Sequence, residues 1–297
     1  MQKTVNIDRE KWLGGSDIPA IMGISPFTTR YDLLLYKAEI KKNEFEGNEY
    51  TKYGNIMESK IRDFINKDIS DKFVETRYEY RESRIRCHLD GENREKVLEI
   101  KTTSQIYDKL EDYKVYLVQL LFYMYNVGKD SGILAIYERP EDFSEEFDEK
   151  RLKIYNVYME DFKDLMKEIL DAVVKFKEDL ARIIENPLLT EEDLMPINIR
   201  NLSYQIIKIE ERLKEYKELE KEEKELKENL YNAMIENNIK KWETPNGVKI
   251  TRVDGSEDTT VMVFDEERLK SEQPILYASY CEEKIKKGKN GYIKITL

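Results

Sequence analysis

Two carboxylates and a lysine stand close together in an otherwise apolar stretch: Asp90-Gly91, then Val97-Leu98-Glu99-Ile100-Lys101. Side chains alternate along a strand, so Glu99 and Lys101 share one face while Ile100 turns to the core. Asp90, ending a neighbouring strand across a hairpin, brings a second carboxylate to that edge. These two carboxylates and a backbone carbonyl make a hard oxygen site suited to Mg²⁺ or Mn²⁺. Lys101 can orient or deprotonate a water and offset charge on a phosphoryl group. Glu58, on the preceding helix, can complete the metal shell. A chain with 61 acidic residues produces Asp…Glu-x-Lys by chance, yet buried strands seldom carry paired charges without a reason. His88, the single histidine, lies two residues before Asp90 on the same strand face. It either reaches substrate phosphate or spaces the rim of the site.

The elements that must hold these residues read as mixed α/β. Ser16-Asp17 opens a short helical stretch ending near Gly23, with Pro19 in its first turn. Thr28 or Thr29 caps a helix over 30–37, and a further helix covers 51–67 with Ile56, Ile61, Phe64 and Ile65 near one face. Strand-like alternation covers 73–90, and 97–101 is a short strand. A long apolar helix starts near Val115 and closes at Gly128, and 133–137 reads as a central strand that 153–158 can pair with. An amphipathic helix over 159–185 stops at Asn186-Pro187. A second long helix, 198–237, carries Ile206, Ile209, Leu213, Tyr216, Leu219, Leu226 and Leu230 at spacings of three, four or seven, among many Glu and Lys. The spacing slips between Leu219 and Leu226, which disfavours a long regular coiled coil. A hairpin around Asn246-Gly247 leads into a small α+β tail ending in 291–295.

Charge is unevenly spread. The 297 residues carry 50 Lys+Arg and 61 Asp+Glu, a net of -11. Residues 1–140 hold 23 basic and 24 acidic residues, a net of -1, so -10 falls on the remainder. Bulk charge therefore argues against a protein that coats polyanions, and any such binding belongs to the first half. There Arg77, Arg81, Arg84 and Arg86 precede Asp90 with mostly even spacing, so several can line one strand face as a phosphate-tracking stripe. A solvated edge paired with Glu79 and Glu82 competes with that reading. No apolar run is long enough to span a bilayer. The first nine residues lack the apolar core of a signal peptide. Two cysteines, Cys87 and Cys281, cannot form a disulfide framework. A cytoplasmic setting is expected.

Several motifs in fixed order resemble the YqaJ-type viral recombinases, relatives of lambda exonuclease within the PD-(D/E)XK nucleases. They are Arg9 with Trp12-Leu13-Gly14-Gly15-Ser16-Asp17-Ile18, then Ile21 to Phe27, then Gly54-x-x-x-Glu58, Asp90-Gly91, Glu99-Ile100-Lys101-Thr102 and Tyr116-x-x-Gln119. The resemblance covers about Arg9 to Tyr137. It implies a restriction-endonuclease-like core, a central mixed sheet flanked by helices, over 1–190. A charged helical arm (191–240) and the α+β region (241–297) follow.

By the same resemblance Asp90, Glu99 and the Ile100 carbonyl hold the divalent ions, two per site, with Glu58 assisting. Lys101 activates the attacking water, and Gln119 positions Lys101 or the substrate backbone. Arg9 and Ser16 match the arginine and serine that bind a 5′-phosphate. Arg84, Arg86 and His88 are the further DNA contacts expected. His88-Leu89 stands where the superfamily name has Pro, a minor departure. The iron–sulfur relatives need four cysteines, so no such cluster is expected. The implied activity is Mg²⁺-dependent 5′ to 3′ digestion of linear duplex DNA in phage recombination and repair, leaving 3′ overhangs for a single-strand annealing protein. A ring-like homotrimer follows by analogy, encoded by a phage or prophage and placed in the cytoplasm of the bacterial host cell. The competing functions are a non-cutting DNA- or partner-binding module and an endonuclease. For the acidic helix three roles compete: self-association, partner docking, or mimicry of DNA charge.

Overall fold

The computed structural model describes residues 8–42, 47–67, 69–255 and 260–281. The chain forms two compact units, Met1–Met195 and Pro196–Leu297. The residues before Asp8 and the end of the expected α+β tail, 291–295, lie outside the described residues.

The first unit is built on a five-stranded sheet. Its strands are β1 (Val74–Tyr80), β2 (Ile85–Glu92), β3 (Lys96–Thr103), β4 (Ser131–Glu138) and β5 (Leu152–Tyr158), side by side in that order. β1, β2 and β3 form an antiparallel meander, β3 and β4 run parallel, and β5 returns antiparallel on β4. The sheet is therefore mixed, as expected. The apolar run 133–137 is a fully buried strand, but β3, carrying Glu99 and Lys101, is the middle one.

Helices cover both faces. On one lies α3 (Glu49–Ile65), capped by Asn48, whose Oδ1 accepts from the Thr51 N–H while Asn48 N–H donates to Thr51 Oγ1. It buries Tyr53, Met57 and Ile61 against Leu98, Ile100, Ala135 and Tyr137. The four-residue spacing of that trio defines the inward stripe, so Ile56, expected on it, is exposed. The other face holds α1 (Ile18–Ile21), α2 (Arg30–Lys37), α4 (Lys114–Val127) and α5 (Lys163–Glu185). Thr29 caps α2, accepting from the Asp32 N–H. The α4 helix links the parallel pair and is apolar nearly all round because it is covered by the sheet on one side and by α1 and α5 on another. It ends at Gly128, which takes φ 71°, the left-handed cap that glycine adopts without strain. Cys87 packs in this core.

In the second unit, α7 (Ile197–Glu236) follows the short α6 (Glu191–Leu194) that closes the first. A two-stranded hairpin, β6 (Lys241–Glu243) and β7 (Lys249–Thr251), turns through Gly247 at φ 81°. Two short helices, α8 (Glu266–Glu272) and α9 (Pro274–Ser279), complete its described part. Along α7 only Met234 is buried, and Leu202, Ile209, Tyr216, Leu219 and Leu226 all stand in solvent. No helix among the described residues is long and apolar enough to cross a membrane.

Candidate active site

The site begins where two strands part. β2 and β3 pair at Gly91 with Leu98 and at Glu92 with Val97, and no further. A Cβ on Gly91 would meet Phe73 Cβ at 2.9 Å and Leu98 Cβ at 3.2 Å, so only glycine permits this close packing beside Asp90. Past it the strands splay, and the Asp90 carboxylate fills the gap: Oδ2 accepts from the Ile100 N–H at 2.7 Å, standing in for a ladder carbonyl. The Ile100 carbonyl projects from the same strand edge as its N–H, toward that gap. Arg62, on α3, donates to the carbonyl of Asp90 and, at 2.9 Å, to Glu58 Oε1. Glu58 thus reaches Asp90 from the α3 face, while Glu99 approaches from the α4 face.

Glu99 is 1% exposed, and Lys101 Nζ lies 2.7 Å from its Oε1. Its Oε2 is buried with no hydrogen-bond partner. Burial pushes the Asp90 carboxyl up, and the nearby Glu99 charge pushes it further. Glu99 is raised by burial, with Lys101 opposing and Glu58 adding to the rise. Glu58 is pushed up to about 7, by burial first and by Asp90 second. Three carboxyls raising one another, one with an orphaned buried oxygen, form a cluster short of positive charge. The second oxygen of Asp90, Glu99 Oε2 and the Ile100 carbonyl fit a hard divalent ion, whose charge would relieve all three carboxyls. Among the described residues no three His, Cys, Asp or Glu side chains are grouped closely enough to hold a metal by themselves. Glu58, expected to complete the shell, is held by Arg62.

For Lys101 burial presses the pKa down, but Glu99 and Asp90 outweigh it and hold the ammonium above its ordinary range. Gln119 is buried on α4, and its amide lies 3.5 Å from the Tyr123 hydroxyl one turn on. A Cβ on Gly15 would strike the Tyr123 ring at 2.6 Å, so the backbone at Gly15 lies directly against α4 because it has no side chain there.

Ser16 is the middle residue of a 3₁₀ turn, Gly15–Asp17, whose cap is Gly14 rather than Ser16 itself. Arg9 donates to Ser16 Oγ at 3.1 Å and lies 3.7 Å from Asp17. Asp17 is a buried hub: Oδ2 accepts from Gly14 N–H at 3.0 Å and from Lys37 Nζ at 2.8 Å. Lys37 also donates to the carbonyls of Arg9 and Trp12, tying the segment down. Arg86 is 7% exposed, stacks 4.6 Å over the Trp12 ring and pairs with Glu79 at 3.1 Å. His88 is held below its ordinary pKa by burial and then by Arg77 and Arg86, and its buried Nε2 lacks a hydrogen-bond partner.

One cavity of about 180 Å³ collects most of these groups: Asp90, Glu99, Lys101 and Gln119 with Arg9, Ser16, Arg86 and His88. Trp12, Asp17 and Tyr123 border it too. The sequence pattern does not single these three out as site residues, although Tyr123 stands at i+4 from Gln119, and Trp12 and Asp17 belong to the Arg9–Ile18 motif. Arg62, at i+4 from Glu58, is a fourth. Arg84 does not join them. It occupies the β1–β2 turn at φ 53° and borders a separate cavity with Lys177. Arg81 shares that turn, and Arg77 pairs with Glu79, so the expected even arginine stripe is broken by the hairpin. Only Arg86 of the four borders the carboxylates.

Residues 6–130 match the model of the YqaJ-like viral recombinase domain, a span that contains every group bordering the cavity. This part of the chain is similar to the YqaJ-like viral recombinase domain. Similar solved structures include an alkaline exonuclease from Laribacter hongkongensis, at 16% identity and TM-score 0.44, covering 60% of this chain and 91% of that one. Another is a phage-related exonuclease from Haemophilus somnus 129PT, at 18% identity and TM-score 0.42, covering 58% and 95%. No curated protein matches this sequence. Within residues 6–130 several of the motif residues come together: Asp90, Glu99, Lys101 and Gln119 around the cavity, Arg9 and Ser16 on its wall.

Proposed function

We propose that this chain is a divalent-metal-dependent nuclease that digests linear double-stranded DNA from its ends. The observation that carries the reading is the buried Glu99 and half-buried Asp90 beside Lys101, in a cavity that Arg9, Ser16 and Arg86 also line. Anionic catalytic groups beside cationic phosphate-binding groups suit a phosphodiester and few other substrates. Asp90, Glu99 and the Ile100 carbonyl would hold Mg²⁺ or Mn²⁺, in keeping with two ions per site. The metal would supply Lewis acidity and an activated water.

The chain's own groups do the rest. Lys101 Nζ, kept protonated by its two carboxylates, orients the attacking water and offsets charge on a phosphoryl oxygen. It can accept a proton only after those carboxylates are neutralised. Gln119 steadies this arrangement from α4. Arg9, braced against Ser16 and Asp17, receives a terminal phosphate, which supports 5′ to 3′ polarity. Arg86 and His88 contact the strand next to the scissile bond. The 3′ overhang so produced suits a single-strand annealing protein, and a ring of protomers would keep the enzyme on its duplex.

The test is digestion of end-labelled linear duplex with Mg²⁺. Release of nucleotides from 5′-phosphorylated ends is expected, with no cutting in EDTA and none of closed circular DNA. Cutting of closed circles would make the protein an endonuclease, and binding without cutting would make it a DNA-binding module. Faster digestion from 5′-hydroxyl ends would remove the phosphate role from Arg9 and Ser16. The native mass in the same buffer decides the ring.

A further inference from the structure

A second cavity, of about 450 Å³, adjoins the catalytic one. Arg9, Ser16 and Asp17 border both, so they form the wall between them. The rest of its lining comes from α1, α2 and the loops beside them, and includes Thr28, Lys41 and Lys42. Lys41 Nζ is fixed by Asp32 at 2.8 Å. Phe27 borders the same cavity and is 89% exposed.

A single exposed phenyl ring is ordinary on a protein surface. This one is set rigidly. It follows Pro26, and the N–H groups of Phe27 and Thr28 both donate to Ser25 Oγ, at 3.2 and 3.3 Å. A tight turn therefore presents an unpartnered aromatic face beside two ammonium groups, in a space continuous with the Arg9 and Ser16 wall. A nucleotide is an anion joined to a flat aromatic base, and the cavity offers a partner for each part.

We propose that this second cavity binds one nucleotide of the DNA strand, next to the nucleotide at the carboxylates, with its phosphate toward Lys41 and Lys42 and its base stacked on Phe27. The inference rests on the nuclease reading for its ligand. Stacking tolerates any base, and phosphate contacts carry no sequence code, so the grip is independent of sequence.

The experiment is fluorescence binding of short duplexes carrying 2-aminopurine at the last or next-to-last position of either strand, with Ca²⁺ present so that binding is read without cutting. Stacking on Phe27 changes the 2-aminopurine signal in the wild-type protein. Phe27→Trp keeps that change and Phe27→Ala loses it. An abasic residue at the responding position weakens wild-type binding about tenfold, while Phe27→Ala binds abasic and intact ends alike. Lys42→Glu weakens both ends equally. Phe27 is exposed, so Phe27→Ala melts with the wild-type protein. Retention of both the signal and the preference for a base in Phe27→Ala overturns the proposal, as does a wild-type protein that shows neither. Digestion of linear duplex with Mg²⁺ is read separately. If the wild type does not cut, the nuclease reading falls, and the binding arms still decide what the cavity holds.

Discussion

Lys101 has to work with two carboxylates pressed against it, and that fixes what it can do. Its ammonium stays protonated beside Glu99 and Asp90, so on the proposed nuclease reading removing it deletes a positive charge where phosphoryl charge would develop. Lys101→Ala is expected to lower the rate of duplex cutting on the order of 10³-fold, with DNA affinity nearly unchanged. Gel-shift and digestion assays on one preparation check this, and an active variant would remove Lys101 from the mechanism. The carboxyls give a second prediction. Glu58 titrates near 7 in the folded protein, above its ordinary 4.5. The folded state therefore holds this proton more tightly than the unfolded state, and metal-free stability falls as pH rises from about 4.5 to 7. Asp90 and Glu99 act in the same direction. For Glu58 alone the loss is about 1–2 kcal/mol after allowing for solvent screening. Thermal melts in EDTA at pH 5.5 and pH 8 measure it: the melting temperature is expected to be lower at pH 8, Mg²⁺ to restore it, and Glu58→Gln to shrink the difference. Equal melting at both pH values would contradict the charge crowding.

At the scale of elements, the Arg9–Asp17 segment depends on one buried ion pair. The Lys37 side chain is 1% exposed and that of Asp17 5%, so Lys37→Met leaves a carboxylate buried without its closest cation. A loss of about 3–5 kcal/mol is expected in urea unfolding, largely recovered by adding Asp17→Asn. No recovery in the double variant would mean that Lys37 matters through the Arg9 and Trp12 carbonyls instead. This hub also shows where the sequence was readable and where it was not. The alternation of Val97 to Lys101 and the glycine at 128 report local geometry, which neighbouring residues determine. The α3 stripe is ambiguous in the sequence because Ile56 and Met57 are both apolar, and the packing of Tyr53 and Ile61 decides between them. The arginine spacing misled because even numbers define one face only while a strand continues, and the chain turns between Tyr80 and Ile85. Asp17, Trp12 and Tyr123 went unassigned because their roles depend on α1, α2 and α4 meeting the sheet. The ordered motifs named residues from separate elements, but the contacts among them are set by tertiary packing.

For the whole molecule, the division at Met195 separates the candidate site from the long helix but leaves the charge with the site: residues 1–195 carry 31 basic and 41 acidic residues, a net of -10, and residues 196–297 carry 19 and 20, a net of -1. Both apolar cores and the candidate cavity belong to the first unit. A chain ending at Met195 is therefore expected to melt cooperatively and to retain cutting of short linear duplexes. Circular dichroism melts and digestion of a short duplex check this. A folded but inactive truncation would show that residues beyond 195 take part in the reaction. Lower processivity on long DNA with unchanged cutting of short DNA would instead assign the second unit to assembly or partner docking.

The splayed strands have a practical use. Because the Ile100 amide is bonded to a side chain rather than to β2, its hydrogen exchange reports on a carboxylate instead of on the sheet. An ion that locks Asp90 in place should slow exchange at that single amide, while Leu98 and Val97, in the regular ladder, keep their rates. The backbone of β3 thus contains a probe of site occupancy that needs no substrate, no label and no turnover.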